Sequence, residues 1–443
     1  MMLNHTWCAL VIVLLVALTA CDGQVDDASL AGPGYHEDVF PIFQGKCTQC
    51  HGAGGVAPIR LDRYDDAHAA RAAIAVAVES GAMPPWIADD SCGQSYMSDW
   101  SLSAEQIATI ALWAKGDARE GDPTVRNPPV ETAAVMESLS RQDIIVSMPR
   151  SYEPVMVPDD YRCFILDWPE EEDVFVTGFT TLPGNDKIVH HVISFLVPPE
   201  EVPAFEELDA ADPGPGYGCF GGPGRITNNL GWLGAWAPGG KGTDFPEGTG
   251  ILIRPGSKII FQVHYNTWDL QGITTDTSGM AFKVDNEIER RAALTPFVDP
   301  TWVWNKTMPI DAGDGAARHS YEIDMTLALN GFSSGQLDSY VPFTIHSVAL
   351  HMHKLGRSAQ LTLIRSDGTQ ECVLSIRDWD FDWQRNFRLM EPLTFNPGDR
   401  LRLNCEWDNS EANQPDGRPV RDVNWGDGTY DEMCLGLLYL SEL

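Results

Sequence analysis

The segment Cys47-Thr48-Gln49-Cys50-His51 carries two thiols and an imidazole at a spacing typical of haem attachment. In this pattern the sulfurs form thioether bonds with the porphyrin vinyl groups, and the adjacent histidine becomes an axial iron ligand. Zinc binding is the alternative, but no second cysteine or histidine pair with zinc spacing accompanies the motif. The sequence therefore predicts one covalently attached haem c, held by Cys47, Cys50 and His51.

The sixth ligand of that haem is expected downstream. Met83 lies in Gly81-Ala82-Met83-Pro84-Pro85-Trp86, where two prolines stiffen an extended loop that presents the thioether. Methionine opposite histidine raises the haem potential, which suits electron transfer. Met97 and His68 are rival ligands, and we predict Met83. The segment resembles the small cytochrome c domains of environmental bacteria, which carry a Met-Pro-Pro-Trp loop and a closing helix that here contains Trp113.

Five other histidines lie in short β-like segments. His351 and His353 are two residues apart, so in a strand both point to one face and can chelate one ion. His264 stands on the polar face of its segment, available to a metal. His190 and His191 are adjacent and point to opposite sides of a regular strand. Both can bind one ion only if a bulge or a strand end redirects one of them.

The donor types favour copper over other metals. Imidazole suits zinc or copper, whereas the thioether of Met433 favours cuprous copper. A single histidine is more often a hydrogen-bonded structural residue than a ligand, so the joint pattern carries the interpretation. A blue-copper site through the Cys434 thiolate is a further alternative.

This set of side chains resembles the copper type II, ascorbate-dependent monooxygenases, the family of the peptidylglycine α-hydroxylating and dopamine β-monooxygenases. The resemblance covers about residues 150 to 443. It implies two copper ions, the first held by an adjacent histidine pair and a later histidine, the second by His-x-His and a distant methionine. In chain order these ligands are His190, His191 and His264, then His351, His353 and Met433. Flanking motifs agree with the family: Gly234-Ala235-Trp236-Ala237, His353-Lys354-Leu355-Gly356-Arg357 and Asp431-Glu432-Met433-Cys434.

The resemblance also implies roles. The copper at His351, His353 and Met433 is the catalytic one, which activates O₂ to remove a hydrogen atom from a substrate carbon. The tris-histidine copper supplies the second electron. In relatives ascorbate reduces the coppers, whereas here a tethered haem is expected to do so, since tethering raises the effective concentration of the donor. An external ascorbate-like reductant or redox protein remains a possible electron donor.

Disulfides and substrate preference follow from the same resemblance. It implies the pairs Cys163–Cys219 and Cys405–Cys434, of which the second removes the blue-copper alternative. Cys92 and Cys372 stay unassigned, with a pairing across domains left open. Peptide-amidating relatives bind a substrate carboxylate with an arginine and a tyrosine, at positions that are here Ala349 and Leu437. We therefore expect a small organic substrate other than a glycine-extended peptide.

The N-terminus resembles a bacterial lipoprotein signal. An apolar run from Ala9 to Leu18 is too short to span a bilayer comfortably and ends in Leu18-Thr19-Ala20-Cys21, a lipobox. An ordinary signal peptide is the alternative. Either interpretation places the mature chain outside the cytoplasm, where disulfides persist. We expect a lipid anchor at Cys21, on the periplasmic face of a cell-envelope membrane.

The elements that must position these residues change along the chain. A helical unit is indicated by the capping box that begins at Ser103 and the helical spacing of apolar residues after it. From about Ser147 short β-like segments with many glycines and prolines predominate, which favours antiparallel sandwiches. The expected fold is a small all-α cytochrome c domain followed by two tandem, jelly-roll-like β-sandwiches. The predicted division is a signal peptide (1–20), a tether (21–34), a cytochrome c domain (35–121), a linker (122–146) and two sandwiches (147–298 and 299–443).

Composition limits the remaining functions. The 443 residues include 63 acidic and 30 basic side chains, for a formal charge of −33, which argues against a nucleic-acid partner. A non-catalytic electron-transfer or copper-handling envelope protein is the alternative function, and a haem–copper reductase is a third. Oxygen consumption linked to product hydroxylation would distinguish the monooxygenase from both.

Overall fold

The computed structural model describes residues 32–125 and 138–443, apart from residues 54, 56, 158, 221, 226, 228–229, 237–239, 241, 268–273 and 427. The predicted signal peptide, the lipid anchor at Cys21 and most of the predicted tether lie outside these residues, as does Ala237. Within the described part of the chain, no helix is both long enough and apolar enough to cross a membrane.

Helices dominate the N-terminal part, and they form for reasons visible in the sequence. Ser103 Oγ accepts a hydrogen bond from the Gln106 backbone N–H, and Gln106 Oε1 accepts one from the Ser103 backbone N–H. The predicted capping box is therefore present. The helices are α1 (Phe40–Lys46, preceded by a π-helical turn at Tyr35–Val39), α2 (Thr48–His51), α3 (Tyr64–Glu79), α4 (Ala104–Lys115), α5 (Val202–Ala211), α6 (Pro300–Asn305) and α7 (Leu329–Phe332).

The rest of the chain is mostly β-sheet, as predicted. The strands are β1 (Ile144–Ser147), β2 (Asp159–Asp167), β3 (Val174–Leu182), β4 (Val189–Val197), β5 (Tyr217–Gly218), β6 (Gly231–Trp236), β7 (Thr243–Asp244), β8 (Thr249–Ile253), β9 (Lys258–Asn266), β10 (Gly279–Asp285), β11 (Arg290–Phe297), β12 (Ala317–Ile323), β13 (Phe343–His351), β14 (Gly356–Ile364), β15 (Gln370–Ile376), β16 (Phe387–Phe395), β17 (Arg400–Trp407) and β18 (Leu435–Glu442).

Pairing among the described strands is antiparallel except where β8 meets β11. One set of strands runs in the order β1-β10-β3-β8-β11-β6-β4-β9-β2-β5, and a separate four-stranded sheet runs β12-β17-β14-β15. Strand β11 pairs with β18, and β18 also pairs with β13, so these strands join the two β units. The jelly-roll connectivity, the cytochrome c fold and the domain limits stay predictions.

The described residues form four apolar cores, of which one belongs to the helical unit, two to the two β units and a smaller one to α5 and the strands around the Cys163–Cys219 disulfide. Tyr35, Phe43 and Trp113 are at most 1% exposed and belong to the helical core. The first β unit buries residues of β1–β4 and β8–β10, whereas the second buries residues of β13–β18. Strand β11 contributes Ala292 to the first of these β cores and Phe297 to the second.

Residues 86–100, here named the docking segment, belong to the helical part by sequence but pack on the second β unit. Its Ala88 and Tyr96 side chains are buried in the core of that unit. Backbone pairing joins Ala88 to Ile376 and Tyr96 to Leu389. Cys92 forms a disulfide with Cys372, which answers the pairing that the sequence left open. The predicted cytochrome domain is therefore tied to the C-terminal part of the chain.

Candidate metal centres

The first cluster consists of His190 and His191 at the start of β4 and His264 near the end of β9. The Nδ1 atom of His264 lies 3.1 Å from Nδ1 of both His190 and His191, and the latter two atoms lie 3.4 Å apart. Two nitrogens about 2.0 Å from one ion, at tetrahedral angles, lie about 3.3 Å apart. The three nitrogens therefore have the spacing that a single metal ion requires.

A bulge explains how adjacent histidines reach one point. The β4–β9 register shifts between Val189 and His191, so Val189 pairs with Tyr265 and His191 with His264. Such a shift turns one side chain of an adjacent pair out of its regular alternation. The condition set by the sequence for a shared site is met here.

Two neighbouring side chains, Asp159 and Tyr161, orient the His264 ring of this cluster. The Nε2 atom of His264 lies 2.8 Å from Oδ1 of Asp159, the first residue of β2. The ring of Tyr161 stacks on that of His264, with centroids 4.2 Å apart and planes 4° apart. A carboxylate on one ring nitrogen fixes the tautomer that offers the other nitrogen to a metal. His264 is buried, so the polar face predicted for it is enclosed rather than open.

Electrostatics favour the neutral imidazoles that metals need. Burial lowers the pKa of His190, and the nearby His264 lowers it further. Burial also lowers the pKa of His191 well below its usual value, with added lowering from neighbouring imidazoles that include His351 and His353. Neutral imidazoles keep their ring nitrogens available to a metal ion.

A second histidine pair consists of His351, the last residue of β13, and His353, two residues beyond the strand. Their ring centroids lie 5.0 Å apart. His351 Nδ1 lies 2.5 Å from Oε1 of Gln384, and His353 Nδ1 lies 3.0 Å from the Asp431 carbonyl oxygen. These contacts leave Nε2 as the metal-binding nitrogen of each ring. Burial lowers the pKa of His351 and lowers that of His353 to about 3.

Glu432 connects this pair to Met433. Its carboxylate accepts hydrogen bonds from the backbone N–H groups of His353 and Leu355 and from the Trp407 indole, at 2.9, 2.7 and 2.8 Å. Its side chain is fully buried, and burial raises its pKa to about 7 against the lowering effect of these bonds. The Met433 backbone N–H also contributes to that lowering. Met433 is partly buried against the core of the second β unit.

The haem motif consists of Cys47, the N-cap residue, and the four residues of the short helix α2. The Nδ1 atom of His51 lies 2.7 Å from the Ile59 carbonyl oxygen, which leaves Nε2 for an iron atom. Cys47 and Cys50 form no disulfide, whereas the other six cysteines among the described residues form three. A Cys-x-x-Cys pair that stays outside the disulfides of the described residues fits covalent haem attachment.

The proposed sixth ligand and its rivals lie in different surroundings. Met83 follows α3 and donates its backbone N–H to the Ala77 carbonyl oxygen at 3.0 Å. His68 is inside α3, where its ring lies 5.3 Å from that of Tyr64. Met97 lies in the docking segment and donates its backbone N–H to Arg388. The choice of Met83 stays a prediction.

Asp159 and Gln384 were missed by sequence reasoning. Glu432 was noted only as part of the motif Asp431-Glu432-Met433-Cys434, without a role. Asp159 and Gln384 reach their histidines through strand and loop packing, which local spacing does not encode. The two disulfides implied by resemblance, Cys163–Cys219 and Cys405–Cys434, are present.

A known family corresponds to the C-terminal part of this arrangement. Residues 336–441 match the C-terminal domain of the copper type II ascorbate-dependent monooxygenases. The matched residues include His351, His353 and Met433.

Curated relatives extend this similarity. Tyramine beta-hydroxylase of Caenorhabditis briggsae is 25% identical over 322 residues, which cover 69% of this chain and 49% of that protein. Human DBH-like monooxygenase protein 1 is 22% identical over 364 residues, or 77% of this chain and 55% of the relative. Human dopamine beta-hydroxylase is 25% identical over 292 residues, or 63% and 43%. The chain spans about half the length of the curated relatives it matches.

Proposed function

We propose that this chain is a copper-dependent monooxygenase that hydroxylates a carbon of a small organic substrate. The observation that carries the proposal is the convergence of three imidazole Nδ1 atoms within 3.4 Å of one another. A second histidine pair, His351 and His353, lies in the segment that matches the copper monooxygenase domain. The spacing of the nitrogens, the neutral imidazoles and the Met433 thioether together fit copper.

Bound copper would supply O₂ activation and electrons, and the residues of the chain would hold and orient it. His190, His191 and His264 would hold one ion through Nδ1, with Asp159 fixing the His264 ring. His351 and His353 would hold the other through Nε2, together with the Met433 thioether. Gln384 bonds to the His351 ring and Glu432 to the His353 backbone, and both would fix that set. The reaction R–H + O₂ + 2e⁻ + 2H⁺ → R–OH + H₂O then needs an external supply of two electrons.

We propose that those electrons arrive through a haem c bound by Cys47, Cys50, His51 and Met83, reduced in turn by an ascorbate-like donor. The Ile59 carbonyl that orients His51 and the absence of a disulfide at Cys47 and Cys50 support this assignment. Native protein should retain its haem under denaturing conditions, and Cys50→Ser should weaken that attachment. Extraction of the haem from the native chain would contradict the proposal.

We further propose export and a lipid anchor at Cys21, which rests on the lipobox Leu18-Thr19-Ala20-Cys21. The three disulfides agree with an oxidising compartment. Labelling of cells with a radioactive fatty acid tests the anchor. Wild-type chain should take up the label, and Cys21→Ala should not.

Metal analysis combined with EPR is the decisive test of the enzyme. We expect two coppers per chain with type 2 signals, and O₂ uptake coupled to hydroxylated product when arylalkylamines, suggested by the relatives' names, are screened. Met433→Leu should abolish hydroxylation. Met352→Leu is the matched control, because Met352 is buried in the core and the swap conserves volume. Copper binding without O₂ uptake across a broad screen would favour the electron-transfer alternative.

A further inference from the structure

The docking segment (residues 86–100) makes a fixed contact with the second β unit. Its hydrogen bonds reach residues 372–390, among them Asp89 N–H to the Ser375 carbonyl at 2.8 Å and Met97 N–H to the Arg388 carbonyl at 2.7 Å. The Cys92–Cys372 disulfide fastens the same contact covalently. The helical unit is therefore held in one place on the unit that contains His351 and His353.

Arg385 lies at the centre of this contact. Its guanidinium carbon lies 4.0 Å from the ring centroid of Trp100, 4.9 Å from that of Trp86 and 5.5 Å from that of Phe387. It also donates to the Ser98 carbonyl oxygen at 3.4 Å. The planar guanidinium of an arginine stacks favourably on aromatic rings. Arg385 therefore links the aromatic residues of the docking segment to those of the β unit.

The residue before Arg385 contacts the second histidine pair. Gln384 Oε1 lies 2.5 Å from His351 Nδ1, and its Nε2 donates to the Phe381 carbonyl oxygen at 2.8 Å. A continuous series of contacts thus runs from Trp86 through Arg385 and Gln384 to the His351 ring.

Both ends of the docking segment lie close to the haem-binding residues. Trp86 is three residues from Met83 in the chain. The Lys46 ammonium, next to Cys47, donates to the Asp99 carbonyl oxygen at 2.8 Å, next to Trp100. Both ends of the segment are therefore anchored near residues that we assign to the haem.

We propose that the docking segment, Arg385 and Gln384 form an electron-transfer contact that delivers electrons from the haem directly to the copper held by His351, His353 and Met433. This inference rests on the proposed function. The contact would supply electrons directly to the catalytic site. In each transfer one ferrous haem becomes ferric and one cupric ion becomes cuprous, and no bond is made or broken. An external ascorbate-like reductant then returns the haem to the ferrous state.

Flash reduction of the haem in the full-length, copper-loaded protein tests the direction of transfer. Haem reoxidation is followed by absorbance, and EPR shows which cupric signal disappears. In His264→Gln, which damages the tris-histidine set, the fast phase of reoxidation should remain. In His353→Gln, which damages the other set, it should be lost. The reverse result, or the same result in both variants, would overturn the inference.

Failure of the proposed function would be visible before any kinetic experiment, in the haem and copper content of the purified chain. A purified chain without covalent haem or without two coppers would refute the function itself. A chain with full haem and copper, whose haem reduces the tris-histidine copper first, would refute only the path.

Variants of the contact test the path itself. Arg385→Gln should lose the fast phase without changing copper content, the haem spectrum or the haem potential. Arg377→Gln is the matched control, since Arg377 pairs with Asp89 and donates to Ser91 Oγ at 2.6 Å, elsewhere on the same segment. If both variants slow transfer equally, the contact serves docking alone and the path is wrong. Should Arg385→Gln fail to fold, Arg385→Lys, which keeps the charge but loses the planar stacking on the aromatic rings, should slow the fast phase with copper content retained.

Discussion

The Nε2 atom of His264 lies 2.8 Å from the Oδ1 atom of Asp159, on the strand that pairs with its own. The Tyr161 ring stacks over the same imidazole. Together they hold His264 so that Nδ1 faces His190 and His191. Interaction with His264 is also the main reason that the pKa of Asp159 is lowered, which keeps its carboxylate ionised.

Asp159→Asn should therefore weaken copper binding at the tris-histidine set by about 10- to 100-fold, the usual effect of losing an outer partner of a metal-binding histidine. Competition with a chelator, read by EPR, measures the affinity. Asp167→Asn serves as the control, because Asp167 ends the same strand and its side chain is 84% exposed. Equal affinities for wild type and Asp159→Asn would show that the carboxylate does not orient the ring.

Glu432 is a buried carboxylate that holds the backbone of the second histidine pair. In Glu432→Gln the amide NH₂ faces donors that the carboxylate satisfied, which should cost about 1–3 kcal/mol of unfolding free energy. Urea unfolding of the copper-free protein measures this loss. Glu406→Gln is the control, since its ion pair with Arg318 is exposed and should contribute about 0–1 kcal/mol. Similar losses in the two variants would argue against a special role for Glu432.

The Cys92–Cys372 disulfide joins residues that are 280 apart in sequence. Replacing both cysteines by alanine should lower the unfolding free energy by about 2–4 kcal/mol, since the cross-link restricts the unfolded chain. Mass spectrometry of an unreduced digest should first show the linked peptides in wild type. Unfolding in urea then measures the loss, and an unchanged midpoint would contradict the expectation.

Local sequence signals predicted features whose interactions are short-range along the chain. The capping box at Ser103 formed as predicted, because its two hydrogen bonds involve residues three apart. The bulge needed to bring His190 and His191 together is present as well. The docking segment was not foreseen, because its partners lie nearly 300 residues away and only tertiary packing brings Trp86 against Arg385. The enclosure of His264 depends likewise on distant strands.

For His351 and His353, too, the local spacing predicted one part of the geometry and tertiary contacts determine the rest. Their spacing indicated a shared strand face, and their rings do lie together. Strand β13 ends at His351, however, so His353 is held by other means. Its backbone N–H is bound by Glu432 and its ring by the Asp431 carbonyl. Residues from the loop before β18 thus complete a geometry that the spacing alone does not determine.

His346 offers a test of pH-dependent stability away from the proposed ligands. It is buried in β13, and its Nε2 atom lies 2.9 Å from Ser441 Oγ. Burial, reinforced by the positive charges of Arg290 and Arg388, lowers its pKa to about 4. In the unfolded chain a histidine titrates near pH 6.5, so between these values the unfolded state binds more protons than the folded state.

The contribution of His346 to stability should thus be full above about pH 6.5 and should be lost as the pH falls toward about 4. The shift corresponds to at most about 3 kcal/mol. In His346→Gln, which keeps a polar group near Ser441, this part of the pH dependence should vanish. Urea unfolding of copper-free wild type and variant at several pH values gives the difference, in which the other titrating groups cancel. Wild type should lose stability faster than His346→Gln on acidification, and parallel curves would show that His346 is not held neutral by its surroundings.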